Sequence, residues 1–156
     1  MNKRIYNYSI HLLAKQDYSE FKLRQKLRSK KDNLPHEVDE VIQELKNKQL
    51  LREDNYRRLF IRKWMIKGES KDKIKLRGAS EKLHFDEQEF QNLSNELGIS
   101  DRDNLTKLLE KKLRFSTIPK DFVEKQKMRD KILRYLISKG HDYSDAKSAL
   151  EKFHLS

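Results

Sequence analysis

Apolar side chains recur at three- and four-residue intervals along almost the whole chain, in short blocks divided by polar breaks. That spacing lines one face of an α-helix, whereas a strand needs alternation at every second residue. With 4 Gly and 2 Pro in 156 residues, helix breakers are few, and all but Gly78 fall where helices should start or stop. The pattern predicts an all-α chain of about nine helices.

Ile5, Ile10, Leu12 and Leu13 mark a first helix that stops near Asp17-Tyr18-Ser19. Ser19 is a suitable N-cap for a second helix carrying Leu23 and Leu27. Pro35 suits the first turn of a third, whose stripe is Val38, Val41, Ile42 and Leu45. A fourth begins at Glu53 or Asp54, carries Tyr56, Leu59, Phe60 and Trp64 on one face, and ends at Gly68. Ser70 caps a fifth containing Asp72 and Ile74. A sixth spans Phe85 to Leu97 and ends at Gly98. Ser100 or Asp101 opens a seventh with Leu105, Leu108, Leu109 and Leu113. Pro119 starts an eighth bearing Phe122, Met128, Ile132, Leu133 and Leu136, and Gly140 ends it. Ser144 caps a ninth with Ala146, Ala149, Leu150 and Phe153. Asp17-Tyr18-Ser19-Glu20 returns as Asp142-Tyr143-Ser144-Asp145, a sign of internal repetition.

Composition bears on how such helices assemble. Apolar residues make up 35% of the chain and charged residues 39%, too little apolar surface for a large spherical core. An elongated stack, in which each helix buries one stripe and solvates the rest, fits better. No cysteine is present, which excludes disulfides and thiolate metal sites. The N-terminus lacks the apolar run of a signal peptide, and no stretch approaches the ~18–20 apolar residues that span a bilayer. The expected location is the cytoplasm.

Catalytic signatures are not seen. There is no phosphate-cradling glycine loop. His11, His36, His84, His141 and His154 form no pair with metal-ligand spacing and read as scattered surface residues. Serines stand at helix starts, where capping accounts for them, and acids interleave with bases at helical spacing as solvated pairs. The chain therefore reads as a binding protein, not an enzyme, with no cofactor.

Its formal charge of +11 favours nucleic acid, an acidic protein surface or anionic lipid as partner. The charge is uneven. From Arg52 to Lys82 there are eleven Lys/Arg and five Asp/Glu; from Leu83 to Asn104 there are six acids and only Arg102; from Leu105 to Lys139 there are eleven against four. Basic helices of this kind can track phosphates without reading bases, or dock on an acidic filament. No helix joins a basic face to a broad exposed aromatic one, which argues against a membrane surface. Tyr56 and Trp64 share the buried-stripe spacing and read as core.

The run Leu12-Leu13-Ala14-Lys15-Gln16-Asp17-Tyr18-Ser19-Glu20-Phe21-Lys22-Leu23-Arg24-Gln25-Lys26-Leu27 resembles the N-terminal motif of RecX regulatory proteins. Leu50-Leu51-Arg52-Glu53, then Tyr56, Phe60-Ile61, Gly68, Ser70 and Ile74, and finally Leu133, Leu136, Gly140 and Tyr143 follow that family's order and spacing. Three positions depart from it: Lys22 replaces the usual Glu, Trp64 stands where the family favours Arg, and Gly78 stands where a Leu is expected. The resemblance implies an elongated, curved array of three tandem three-helix repeats, over residues 1–51, 52–99 and 100–156. It implies a monomer that lodges in the RecA filament on single- or double-stranded DNA and inhibits its ATPase, strand-exchange and coprotease activities. No catalytic residue carries over. Candidate contacts to RecA or DNA are the basic side chains Lys26, Arg57, Arg58, Arg62, Lys63, Lys67, Lys71, Lys75, Arg77, Lys127, Lys131 and Arg134.

Overall fold

The computed structural model describes residues 1–155. Among them all regular structure is helical, as the periodicity predicts: α1 (Lys3–Lys15), α2 (Glu20–Arg28), α3 (Pro35–Asn47), α4 (Glu53–Ile66), α5 (Lys71–Ala79), α6 (Glu87–Leu97), α7 (Asp101–Leu113), α8 (Phe122–Ser138) and α9 (Tyr143–Lys152). Three successive trios are consistent with a three-repeat chain. The helices pack into two compact units, one of Met1–Phe60 with Gly78–His84, the other of Ile61–Arg77 with Phe85 onward.

In the first unit α1, α2 and α3 pack on one another over Ile5, Leu12, Leu23, Leu27, Val38, Val41, Ile42 and Leu45. Side-chain caps set two of these helices, Ser19 as the sequence predicts and Asn2 in addition. Asn2 accepts from the Arg4 and Ile5 amides at 3.0 and 3.3 Å, and Ser19 accepts from the Lys22 amide at 3.2 Å. Each such cap is worth about 0.5–2 kcal/mol relative to Ala. Pro35 stands at the start of α3, where its missing N–H costs nothing. Glu81 is buried in this unit. Its carboxylate accepts from the Ser19 hydroxyl (3.3 Å) and the Tyr56 hydroxyl (2.8 Å) and pairs with Lys22 Nζ (2.5 Å). Lys22 thus answers a buried acid. Burial, and then the bond to Glu81, push the Tyr56 hydroxyl well above the ordinary tyrosine range.

The core of the second unit joins Leu105, Leu108 and Leu109 of α7 to Ile132, Leu133 and Leu136 of α8 and Ala146 and Leu150 of α9. Two turns in it bond to each other. The Ser70 amide donates to the Lys139 carbonyl (3.0 Å) and its hydroxyl to the Gly140 carbonyl (2.7 Å). In return His141 Nε2 meets the Gly68 carbonyl at 2.8 Å. A carbonyl only accepts, so Nε2 carries the proton. Ser70 Oγ also accepts from the Lys73 amide at 3.3 Å, the cap predicted for α5. Nearby, the buried Asn104 amide donates to the Met65 carbonyl at the end of α4.

Six helices close the same way. A residue with positive φ follows the last turn, and the next amide reaches back to a carbonyl five residues earlier. The left-handed residues are Gln49, Gly68, Lys82, Gly98, Gly140 and His154. The bonds run from Leu50 to Leu45, Glu69 to Trp64, Leu83 to Gly78, Ile99 to Ser94, His141 to Leu136 and Leu155 to Leu150. Gly78 therefore supplies the carbonyl that ends α5, at a buried position. Leu83 and Leu155 are buried after their closures. At two closures the following residue is polar instead: Glu69 and His141 are 1% and 6% exposed.

Several expectations are corrected. The buried residues of α4 are Ile61 and Met65, while Tyr56, Leu59, Phe60 and Trp64 are only half-buried. α6 starts after Phe85, because Asp86 and Glu89 form a reciprocal cap (2.8 and 3.0 Å). α8 starts at Phe122 and not at Pro119, because Asp121 caps it by accepting from the Glu124 amide at 2.9 Å. Phe122 lies in the first turn and is exposed, off the buried stripe. Ser144 lies inside α9, whose N-cap is Asp142. The two Asp-Tyr-Ser motifs thus enter their helices at different points. His141 is a buried, bonded side chain and not a surface one.

Candidate interface for an anionic partner

α4 and the α4–α5 turn build a cationic cluster around one indole ring. Trp64 is half-buried, and the Arg77 guanidinium lies 3.8 Å from its ring centre. Lys67 and Lys63 approach the ring at 4.7 and 5.2 Å. Lys63 lies in the last turn of α4 and Lys67 just past its end, and both approach the same side chain. Arg77 is held by Glu69 through two bonds, Nε to Oε2 at 2.6 Å and Nη2 to Oε1 at 2.7 Å. This fork fixes the guanidinium plane over the indole, and the hydrogen bond to Glu69 pushes the Arg77 pKa up. Trp64, the second departure from the RecX pattern, is therefore a platform for cations rather than a core residue.

The other candidate contacts fall into two groups. Some already hold a carboxylate: Lys71 and Lys75 meet Glu87 at 2.7 and 2.6 Å, Arg62 meets Glu96 at 3.4 Å, and Lys127 meets Glu124 at 3.0 Å. Hydrogen bonds from Lys71 and Lys75 hold the Glu87 carboxyl down to about 2. A phosphate at those lysines would have to displace it. Others make no ion pair among the described residues: Lys26 on α2, Lys63 on α4, Lys67 in the turn after it, and Lys131 and Arg134 on α8. Arg134 is tied to its own helix by Nε donating to the Asp130 carbonyl at 3.2 Å. Lys127, Lys131 and Arg134 share one face of α8, at i, i+4 and i+7. Arg57 and Arg58 lie on the part of α4 that belongs to the first unit, with Lys26; the remaining nine belong to the second.

Sequence reasoning missed the buried acids. Glu69 and Glu81 sit in stretches rich in Lys and Arg, where an acid reads as a solvated partner. The one available signal is that Glu69 follows Gly68, at the position that turns inward after a left-handed closure. No group of three or more His, Asp or Glu able to hold a metal is found among the described residues. No helix among them is long and apolar enough to cross a membrane.

No family model matches the chain. Among solved structures it is similar to RecX from Lactobacillus salivarius, with a TM-score of 0.67 over 99% of this chain and 97% of that one, at 20% identity. That likeness establishes the fold. In sequence it is similar to the curated "Regulatory protein RecX" of Clostridium perfringens (strain 13 / Type A), 29% identical over 150 residues. The resemblance to the RecX family holds. The alignment covers 94% of this chain and 66% of that relative, so the RecX-like chain spans just under two thirds of its length.

Proposed function

We propose that this RecX-like chain is a regulator of a RecA-type recombinase, binding its filament as a cytoplasmic monomer and lowering its ATPase, strand-exchange and coprotease activities. The observation that carries this reading is the similarity to a regulatory protein RecX along 94% of the chain. The charge of +11 supports it, because a filament on DNA is a polyanion. Purified protein added to RecA on single-stranded DNA should lower ATP turnover at stoichiometric amounts; unchanged turnover refutes it.

Direct, sequence-nonspecific DNA binding is the second reading, favoured by the cations that hold no carboxylate. Five such contacts, at ~0.7 per phosphate, set an upper slope of about −3.5 for log affinity against log salt on single strands. Negligible binding at low salt without RecA removes this reading.

A further inference from the structure

The segment joining α7 to α8 exposes apolar side chains that nothing in its own unit covers. Phe115 is 93% exposed, Phe122 73%, Val123 56% and Ile118 36%. Four such residues fall within nine positions, a denser run of apolar exposure than single scattered residues make. The segment is also well defined. The Ser116 amide bonds to the Leu113 carbonyl at 3.0 Å and its hydroxyl to the Lys112 carbonyl at 3.1 Å. Pro119 presets one φ, and Asp121 caps α8. An exposed apolar surface held in place before contact loses little entropy on docking.

Charge indicates the chemistry of what it meets. From Lys111 to Lys125 there are five cations (Lys111, Lys112, Arg114, Lys120, Lys125) and two acids, Asp121 and Glu124. Glu124 is engaged by Lys127. Lys111, Arg114, Lys120 and Lys125 make no ion pair among the described residues. Exposed apolar side chains interspersed along the chain with unpaired cations match an apolar pocket with acidic surroundings. The acids argue against a lipid surface: Asp121 and Glu124 stand next in sequence to Phe122 and Val123 and would bring negative charge to anionic headgroups.

We propose that the α7–α8 tip is a protein-docking surface, with Phe115 and Phe122 as anchors that enter an acid-rimmed apolar pocket on the recombinase filament. The assignment of the pocket to the filament rests on the function proposed above. Aromatic anchors at the centre of a contact carry much of its energy, while the charged rim sets on-rate and orientation.

The test uses the full chain and filaments of RecA on single-stranded DNA with a non-hydrolysed ATP analogue. F115S/F122S should bind at least ~30-fold more weakly, the loss typical of removing central anchors. Its melting temperature should stay at the wild-type value, because both rings are exposed. Phe115→Leu should bind within about threefold of wild type, since it keeps an apolar anchor. R114E/K120E should slow association at low salt and lose that effect at high salt. F115S/F122S binding as well as wild type overturns the proposal and leaves the functional reading standing. Wild type failing to bind filaments overturns both. Binding of wild type, but not F115S/F122S, to phosphatidylserine vesicles, with filament binding equal in the two, overturns it in favour of a lipid anchor.

Discussion

Arg77→Ala should be among the most damaging single changes at the candidate interface, and its cost can be worked from the geometry. Glu69 is 1% exposed, and both its carboxylate oxygens are bonded to Arg77. Removing one partner of a buried pair costs ~3–5 kcal/mol, because the other charge is stranded. The Arg77 side chain is 39% exposed, so water can reach the vacated end and the lower part of that range applies. Loss of the stack on Trp64 adds ~0.5–1 kcal/mol. The total is about 3–4 kcal/mol, which for a chain of this size lowers Tm by ~6–16 °C at roughly 2–4 °C per kcal/mol. Thermal unfolding followed by circular dichroism reads it directly. The mechanism makes a sharper demand. Adding Glu69→Met should recover much of the loss, because no charge is then left behind. A fall in Tm below ~2 °C, or a double variant less stable than Arg77→Ala, refutes the reasoning.

Three further outcomes follow from the same kind of reading. Lys22→Glu, which installs the residue usual in the RecX pattern, should destabilise the first unit by ~2 kcal/mol in urea unfolding, since it sets a second carboxylate against buried Glu81. Gly140→Ala should cost ~2–4 kcal/mol, from its φ of +88 and a new Cβ 2.5 Å from Lys73 Cβ, whereas Gly98→Ala, with nothing within 4 Å, should cost only ~1 kcal/mol. NMR titration should find the Glu87 carboxyl near 2 and return it to the ordinary range in K71A/K75A. Its pKa is depressed on folding, so its stabilising contribution is present above the ordinary glutamate value and is lost as pH falls from there toward about 2.

The helices and most of their caps could be read from the chain because both signals are local. Ser19 and Ser70 cap as predicted, Ser100 and not Asp101 caps α7, and Gly68, Gly98 and Gly140 end helices where a glycine in left-handed geometry is expected. Closures at Gln49, Lys82 and His154 could not be read, because no residue type there announces a positive φ. Pro119 alone predicts too early a start for α8, because the deciding cap is a side-chain contact: the Glu124 amide donates to the Asp121 carboxylate and sets the first turn at Phe122. The candidate cations were legible as charge, but not as a division between paired and unpaired. That division depends on Glu87, twelve residues beyond Lys75, and on Glu69, eight residues before Arg77. The indole platform was hidden for the same reason: Trp64 and Arg77 lie on different helices.

The bonded pair of turns in the second unit sets a timetable for synthesis. Ser70 is held by Lys139 and Gly140, and Gly68 by His141, across 70 and 73 residues of chain. At ~5–20 residues per second a ribosome needs roughly 4–14 s to make that stretch. For those seconds the α4–α5 turn exists without its partner, and the amide of Ser70 exchanges freely with water. The first unit, by contrast, is completed by Gly78–His84, whose Glu81 meets Ser19 and Lys22, and so has all its parts in hand by residue 84. The protein is thus made as an early unit that can settle at once and a later one that must wait for its C-terminal turn, and pulse-labelled hydrogen exchange on stalled chains should see the Ser70 amide become protected only after His141 has emerged.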